Sequence, residues 1–266
     1  MMQTWETNEK MLNQEPLKLT LPDRELAYQQ RSAASGQQSD VGIIFLGGFA
    51  SDMTGSKALF LDERCTEKGV AYVRFDYRGH GASSGKFEEG CISDWFSDAL
   101  EVFDRIALGP QIVVGSSMGG WIGLLLARAR PERVAGFVGI AAAPDFTEDL
   151  MRSVLSPEQK ESLARDGFFY EDNAPPELRV PITKKLLDDG VNNLVLRGPL
   201  KIDCPVRLIH GKQDPEVPWK TALAIADHVQ SQDVRVTLVK DGEHRLSRPQ
   251  DLELLWDMVQ PLTYRR

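Results

Sequence analysis

Short apolar runs alternate with helical stretches along most of this chain, and that rhythm restricts its possible folds more than any other feature. The run 41–46 is closed by Gly47-Gly48, and helix-spaced residues then follow from 57 to 68, ending at Gly69. Glycine there suits a left-handed helix C-cap. A second apolar run spans 70–75. Within 92–108, Trp95, Phe96, Ala99, Val102, Phe103 and Ile106 recur at helical spacing before Gly109-Pro110. Next come a strand at 112–114, a helix at 118–130 closed by Pro131 and a strand at 134–140. After residue 200 the pattern resumes with strands at 206–210 and 234–239 and helices at 220–229 and 250–259. Strands joined by crossover helices require a mostly parallel sheet covered on both faces. The predicted class is α/β.

Between 144 and 200 the rhythm breaks. Ser156-Pro157-Glu158-Gln159 reads as a helix start, with Ser as N-cap, Pro at the first helical position and Gln three residues on. A further helical piece is expected near 182–188. The predicted organisation is therefore a core of 1–143 and 201–266 carrying a helical lid at 144–200. The lid would lie over the sheet's carboxyl edge, where open α/β sheets bind ligands.

The chain has 266 residues, enough for one large core with such an insertion. Its 31 basic and 39 acidic residues leave a net charge of −8, which disfavours nucleic acid and anionic membranes as partners. The Tyr264-Arg265-Arg266 tail is too short to reverse that. Cys65, Cys91 and Cys204 are too scattered for a disulfide framework, so a reducing compartment is expected. Residues 1–15 lack an apolar stretch and a basic start, and the apolar run 121–127 is far shorter than a membrane span. The expected location is the cytoplasm. No Cys–His cluster has ligand spacing, so neither metal nor cofactor is expected.

The sharpest motif is Gly115-Ser116-Ser117-Met118-Gly119, set between the strand at 112–114 and the following helix. G-x-S-x-G is common by chance, but a strand–turn–helix setting makes it a nucleophile elbow. There the central Ser occupies a strained turn, and its flanking glycines avoid collision with the neighbouring backbone. The plainer reading is a tight Gly-rich turn, or a phosphate cradle at the helix N-terminus.

A Ser hydroxyl needs a base to take its proton and an acid to orient that base. His244 lies just past the last strand, at the sheet edge that also carries Ser117. Asp214 lies in the loop after strand 206–210. His80, His210 and His228 read as structural. The chain order Ser117, Asp214, His244 is that of the α/β-hydrolase arrangement. Backbone N–H groups of Met118 and Phe49 are the expected oxyanion donors, the latter in the loop after strand 41–46.

The chain thus resembles the α/β-hydrolase superfamily along nearly its whole length. The resemblance extends to Asp76-Tyr77-Arg78-Gly79-His80-Gly81 with Ser83, and to His210-Gly211 through Asp214 with Val217-Pro218. It is most similar to the superfamily's acyl-glucuronide esterase and palmitoyl-protein thioesterase branch, in Gly55-Ser56-Lys57-Ala58, Arg74-Phe75-Asp76-Tyr77 and Val217-Pro218-Trp219. That resemblance implies an α/β-hydrolase fold with an eight-stranded, mostly parallel sheet. It also implies a serine hydrolase acting on esters or thioesters of small-molecule or acylated-protein substrates. One departure is Leu46-Gly47-Gly48, where many relatives carry His-Gly.

Other residues keep two readings. Phe168 and Phe169 either line an acyl pocket or dock the lid, and Trp121 and Trp219 either pack or face substrate. Asp52 reads as a loop or cap carboxylate. The same triad would also serve C–C bond hydrolysis or perhydrolysis, and a hydrolase-like fold can act as a small-molecule receptor without catalysis.

Overall fold

A computed structural model describes residues 15–34, 41–170 and 179–264 of the chain. Among these, eight strands form one sheet in the order β1-β2-β4-β3-β5-β6-β9-β10. The strands β3 (Gly42–Leu46), β4 (Tyr72–Phe75), β5 (Gln111–Ser116), β6 (Val134–Ile140), β9 (Val206–Gly211) and β10 (Val234–Val239) pair in parallel. β3 and β5 are buried along their whole length because helices cover both faces of the sheet. The helices are α1 (Ser56–Lys68), α2 (Ile92–Arg105), α3 (Met118–Ala129), α6 (Lys220–His228) and α7 (Pro249–Val259). Gly69 caps α1 at φ 66°, as its position suggests. Helix α3 is buried at every position from Met118 to Ala127. Its core cluster includes Trp95, Phe103, Val113 and Phe137.

Two elements at the start of the chain were not anticipated. β1 (Leu17–Thr20) and β2 (Glu25–Arg31) form an antiparallel pair that adds to β4, giving the sheet a mixed edge. β1 alternates apolar and polar residues over only four positions, and β2 ends in the polar run Gln29-Gln30-Arg31, which blurs its period. The helix expected over 92–108 ends earlier, at Arg105, while Gly109 adopts φ 72° beyond it.

The insertion departs most from expectation, because it is not purely helical. α4 (Pro157–Arg165) starts as predicted: the Ser156 hydroxyl accepts from the Gln159 N–H at 3.2 Å, and the Gln159 side chain accepts from the Ser156 N–H at 2.9 Å. Next, β7 (Phe168–Tyr170) pairs antiparallel with β8 (Pro181–Thr183), with Phe169 opposite Ile182. Ile182, expected within a helix, is thus a strand residue. α5 (Lys184–Gly190) begins two residues later, where the Thr183 hydroxyl accepts from the Leu186 N–H. Three consecutive aromatic residues favour a pleated strand, and Phe169 turns inward between exposed Phe168 and Tyr170. A π-helical turn at Thr147–Met151 opens the insertion. Residues 1–14 and 35–40, residues 171–178 of the expected lid, and Arg265-Arg266 of the tail lie outside the described residues.

Candidate active site

Ser117 sits between β5 and α3 with φ 52° and ψ −118°, a conformation that costs a non-glycine residue roughly 1–3 kcal/mol. The surroundings hold it there. Its N–H donates to the Ile140 carbonyl at 2.9 Å, and its carbonyl accepts from the N–H groups of Gly120 and Ala143 at 2.9 and 3.1 Å. The motif's glycines have a direct steric cause. A Cβ on Gly115 would lie 2.2 Å from the Gly119 carbonyl oxygen, and one on Gly119 would lie 2.1 Å from that of Leu46.

The structure brings His244 and Asp214 to this serine from two separate loops. His244 follows β10, and its Nε2 is 3.0 Å from Ser117 Oγ. Its Nδ1 is 2.8 Å from Asp214 Oδ2, in the loop after β9. An ionised carboxylate only accepts hydrogen bonds, so Nδ1 carries the proton and Nε2 is free to accept from the Ser117 hydroxyl. The Asp214 side chain is fully buried. Burial raises its pKa, but hydrogen bonds from His210, His244 and the Val217 N–H outweigh that and hold it well below the usual carboxylate range. Asp214 Oδ1 takes the N–H groups of Glu216 and Val217, each at 2.9 Å.

His210 is the member that sequence reasoning assigned a purely structural role. It has no solvent exposure, and its Nε2 lies 3.1 Å from Asp214 Oδ2 and 2.9 Å from the Val217 carbonyl oxygen. Both neighbours are acceptors, so Nε2–H donates to both. Its Nδ1 has no partner among the described residues. Two imidazoles therefore share one carboxylate oxygen. The available signal was His210 at the end of a strand, four residues before Asp214.

The loop after β3 brings Phe49 to the other side of Ser117. Among the described residues, neither the Phe49 nor the Met118 N–H is taken by a backbone acceptor outside the helix ladders. The Phe49 ring is anchored edge-on by Phe87, Trp95 and Phe146 at 4.9, 5.9 and 5.9 Å. Further along this loop, Asp76 accepts from the Met53 N–H at 2.6 Å, and Arg74 donates to the Met53 carbonyl at 2.8 Å. The Arg74-Phe75-Asp76 segment thus helps brace the loop bearing a candidate oxyanion donor.

Ser117 and His244 open into a cavity of about 500 Å³ lined by core residues, including Gly48, Phe49, Lys57 and Arg245. A larger hollow, about 710 Å³, lies elsewhere, beside Arg207, Asp233 and Leu262, and contains none of the candidate triad. None of the four suggested substrate residues lines the Ser117 cavity. Trp121 has no exposed surface, and its indole N–H donates to the Asn193 carbonyl at 2.9 Å. Phe169 is buried in the insertion's own cluster with Leu163, Ile182 and Leu187, against which Phe49 packs. This is the docking alternative. Phe168 is exposed and meets Tyr170 edge-on, while Trp219 lies under the Lys212 ammonium at 5.2 Å. Asp52 acts as a loop carboxylate, accepting from the Thr54 N–H at 2.7 Å.

Known proteins share the family and the fold of this chain. Residues 37–165 match the family described as serine aminopeptidase, S33. The chain is 40% identical over 214 residues to the palmitoyl-protein thioesterase ABHD10, mitochondrial, of Rattus norvegicus, covering 80% of this chain and 72% of that protein. Its Homo sapiens counterpart is 39% identical over 231 residues, or 86% and 74% of the two chains. Among solved structures, a putative hydrolase from Agrobacterium vitis S4 superposes with a TM-score of 0.87 at 41% identity, covering 93% of this chain and 97% of that one. The alpha/beta hydrolase domain-containing protein 10 from mouse gives 0.83 at 35% identity, with 94% and 98% covered.

Proposed function

The chain is an α/β-hydrolase of the ABHD10 family and a serine hydrolase, and from that premise we propose that it cleaves fatty acyl thioesters through Ser117, His244 and Asp214. The observation that carries this reading is the hydrogen-bond chain from Ser117 through His244 to Asp214, at 3.0 and 2.8 Å, opening on a cavity. Ser117 Oγ attacks the acyl carbon while its proton passes to His244 Nε2. The oxyanion lies between the N–H groups of Phe49 and Met118, where loss of one such donor costs about 3 kcal/mol. Collapse breaks the C–S bond, and His244 returns the proton to the departing thiolate. Water then attacks the acyl-enzyme, again with His244 as base, releasing the acid and restoring Ser117. Buried Asp214 stabilises the imidazolium formed in each half.

The acyl group is suggested by relatives whose names specify palmitoyl-protein substrates. We place the choice of chain length in the insertion at 144–200, which packs on Phe49 through Phe169 and its neighbours. For location we propose a reducing compartment, supported by free Cys65, Cys91 and Cys204. Cytoplasm fits that chemistry, as does the mitochondrial address in the relatives' names. Among the described residues no helix is long and apolar enough to cross a membrane.

The test is hydrolysis of a series of acyl thioesters and p-nitrophenyl esters of increasing chain length. Wild type should favour medium or long chains over acetyl, and Ser117→Ala should lose about a thousandfold or more. Equal rates in the two proteins would reject Ser117 as nucleophile.

A further inference from the structure

Lys57 and Arg245 are the cations of the Ser117 cavity, and among the described residues neither forms an ion pair. Most of the arginines described in this acidic chain are paired. Arg24, Arg74, Arg78, Arg130, Arg207 and Arg248 each hold a carboxylate. Lys57, in the first turn of α1, donates only to neutral oxygens: the Arg245 carbonyl at 2.6 Å and the Ser247 hydroxyl at 3.3 Å. The exposed Arg245 guanidinium has no hydrogen-bond acceptor among the described residues. Two like charges have been brought together beside a reactive serine with no carboxylate in ion-pair contact among the described residues; Asp251 favours the Lys57 ammonium only from farther off.

Their position assigns a side. In acyl transfer the group leaving the acyl carbon receives its proton from His244, so it departs past that ring. Arg245 and Ser247 belong to the His244 loop, and Lys57 is bonded to both. The oxyanion donors belong to other loops. We propose that Lys57 and Arg245 form a subsite that selects leaving groups bearing an anion, carboxylate or phosphate. The guanidinium fork and the ammonium both match such oxygens. This deepens the serine-hydrolase reading and rests on it.

Two carboxylates also line the cavity. Asp52 is tied to the Thr54 N–H and hydroxyl at 2.7 and 2.5 Å. Glu216 is 66% exposed, with Oε2 3.5 Å from His244 Nε2. Solvent screens exposed Glu216 and exposed Arg245 alike, so Glu216 weakens the cationic wall and the part-buried Lys57 supplies its less screened charge.

The test uses the full chain and one acyl group carried on four thiols: 3-mercaptopropionate, 2-mercaptoethyl phosphate, neutral 2-mercaptoethanol and cationic cysteamine. The readout is the kcat/KM ratio between thiols within each enzyme, which cancels differences in the folded fraction. Wild type should prefer the anionic thiols to the neutral one by about tenfold, less at high salt. The carboxylate and phosphate arms show which anion fits better. Arg245→Gln should bring the ratio near unity and Arg245→Glu should reverse it toward cysteamine; Lys57→Met should lower it independently. Turnover without a charge preference, or a preference unchanged in the Arg245 variants, would overturn the subsite while leaving the serine-hydrolase reading intact. Failure of wild type on all four thioesters, with no fluorophosphonate labelling, would reject that reading and the subsite with it.

Discussion

The turn that holds Ser117 and the insertion at 144–200 meet through Phe49, but they are built on opposite rules. The turn is fixed by backbone crowding: Ser117 at positive φ, with no room for a Cβ at Gly115 or Gly119. The insertion is held by a small side-chain cluster of Leu163, Phe169, Ile182 and Leu187, with Phe49 and Met151 packed against it. Backbone crowding tolerates one residue type and leaves a mark in the sequence. Side-chain packing tolerates many, and such a segment can vary with substrate while the turn cannot. We propose chemistry for the first region and chain-length choice for the second.

The largest effect that could break this contrast belongs to the triad. Asp214→Asn replaces the acceptor of the His244 proton by an amide and should lower kcat about 10⁴-fold. A loss under tenfold would show that His244 needs no ionised partner.

A smaller loss is expected at His210. His210→Leu removes a hydrogen bond that positions Asp214 beneath His244, and a carboxylate free to shift there should lower kcat about 10–100-fold. With less of its charge dispersed, the carboxylate favours the His244 imidazolium more, so the acid limb of the pH–rate profile should move upward. His210→Gln, which can still present an N–H, should restore part of the rate and return the limb toward wild type. A purely structural role would lower the amount of active enzyme in both variants without moving the limb.

On the insertion side the balance should invert. Phe169→Ala should cost roughly 3–5 kcal/mol of local stability, seen as faster hydrogen exchange in α4 and β7. Long-chain turnover should fall several-fold while acetyl-ester turnover changes little. Equal loss on both substrates would mean that the insertion supports the chemistry itself.

The smallest effect concerns Lys57. Burial, with Arg245 adding to it, lowers its pKa from 10.5 to about 8. Between those values the unfolded chain binds more protons than the folded one, so this lysine makes stability rise with pH across that window. In Lys57→Met that component should vanish, giving a flatter plot of thermal midpoint from pH 8 to 10. An unchanged slope would place the lysine in a more solvated setting.

The same contrast explains what could be read from the sequence. Ser117, Asp214 and His244 were legible because each follows an apolar strand, and parallel strands deliver such loops to one edge. The Ser156 capping box was legible as local chemistry. β1 and β2 were not, because β1 alternates over only four residues and β2 ends in a polar run. Ile182 fell within a helical pattern, yet its partner Phe169 lies thirteen residues away and makes it a strand residue. Trp121 looked available to substrate, but α3 is buried nearly all round. His210, Lys57 and Arg245 matter through neighbours distant in sequence or through the partners they lack, and neither leaves a local motif.

The most direct measurement is fluorophosphonate labelling of the purified chain followed by peptide mapping. One adduct per chain on Ser117, formed much more slowly in Asp214→Asn, is the expected result. A folded protein that takes no label, or takes it on a residue other than Ser117, would contradict the assignment of this serine as the nucleophile.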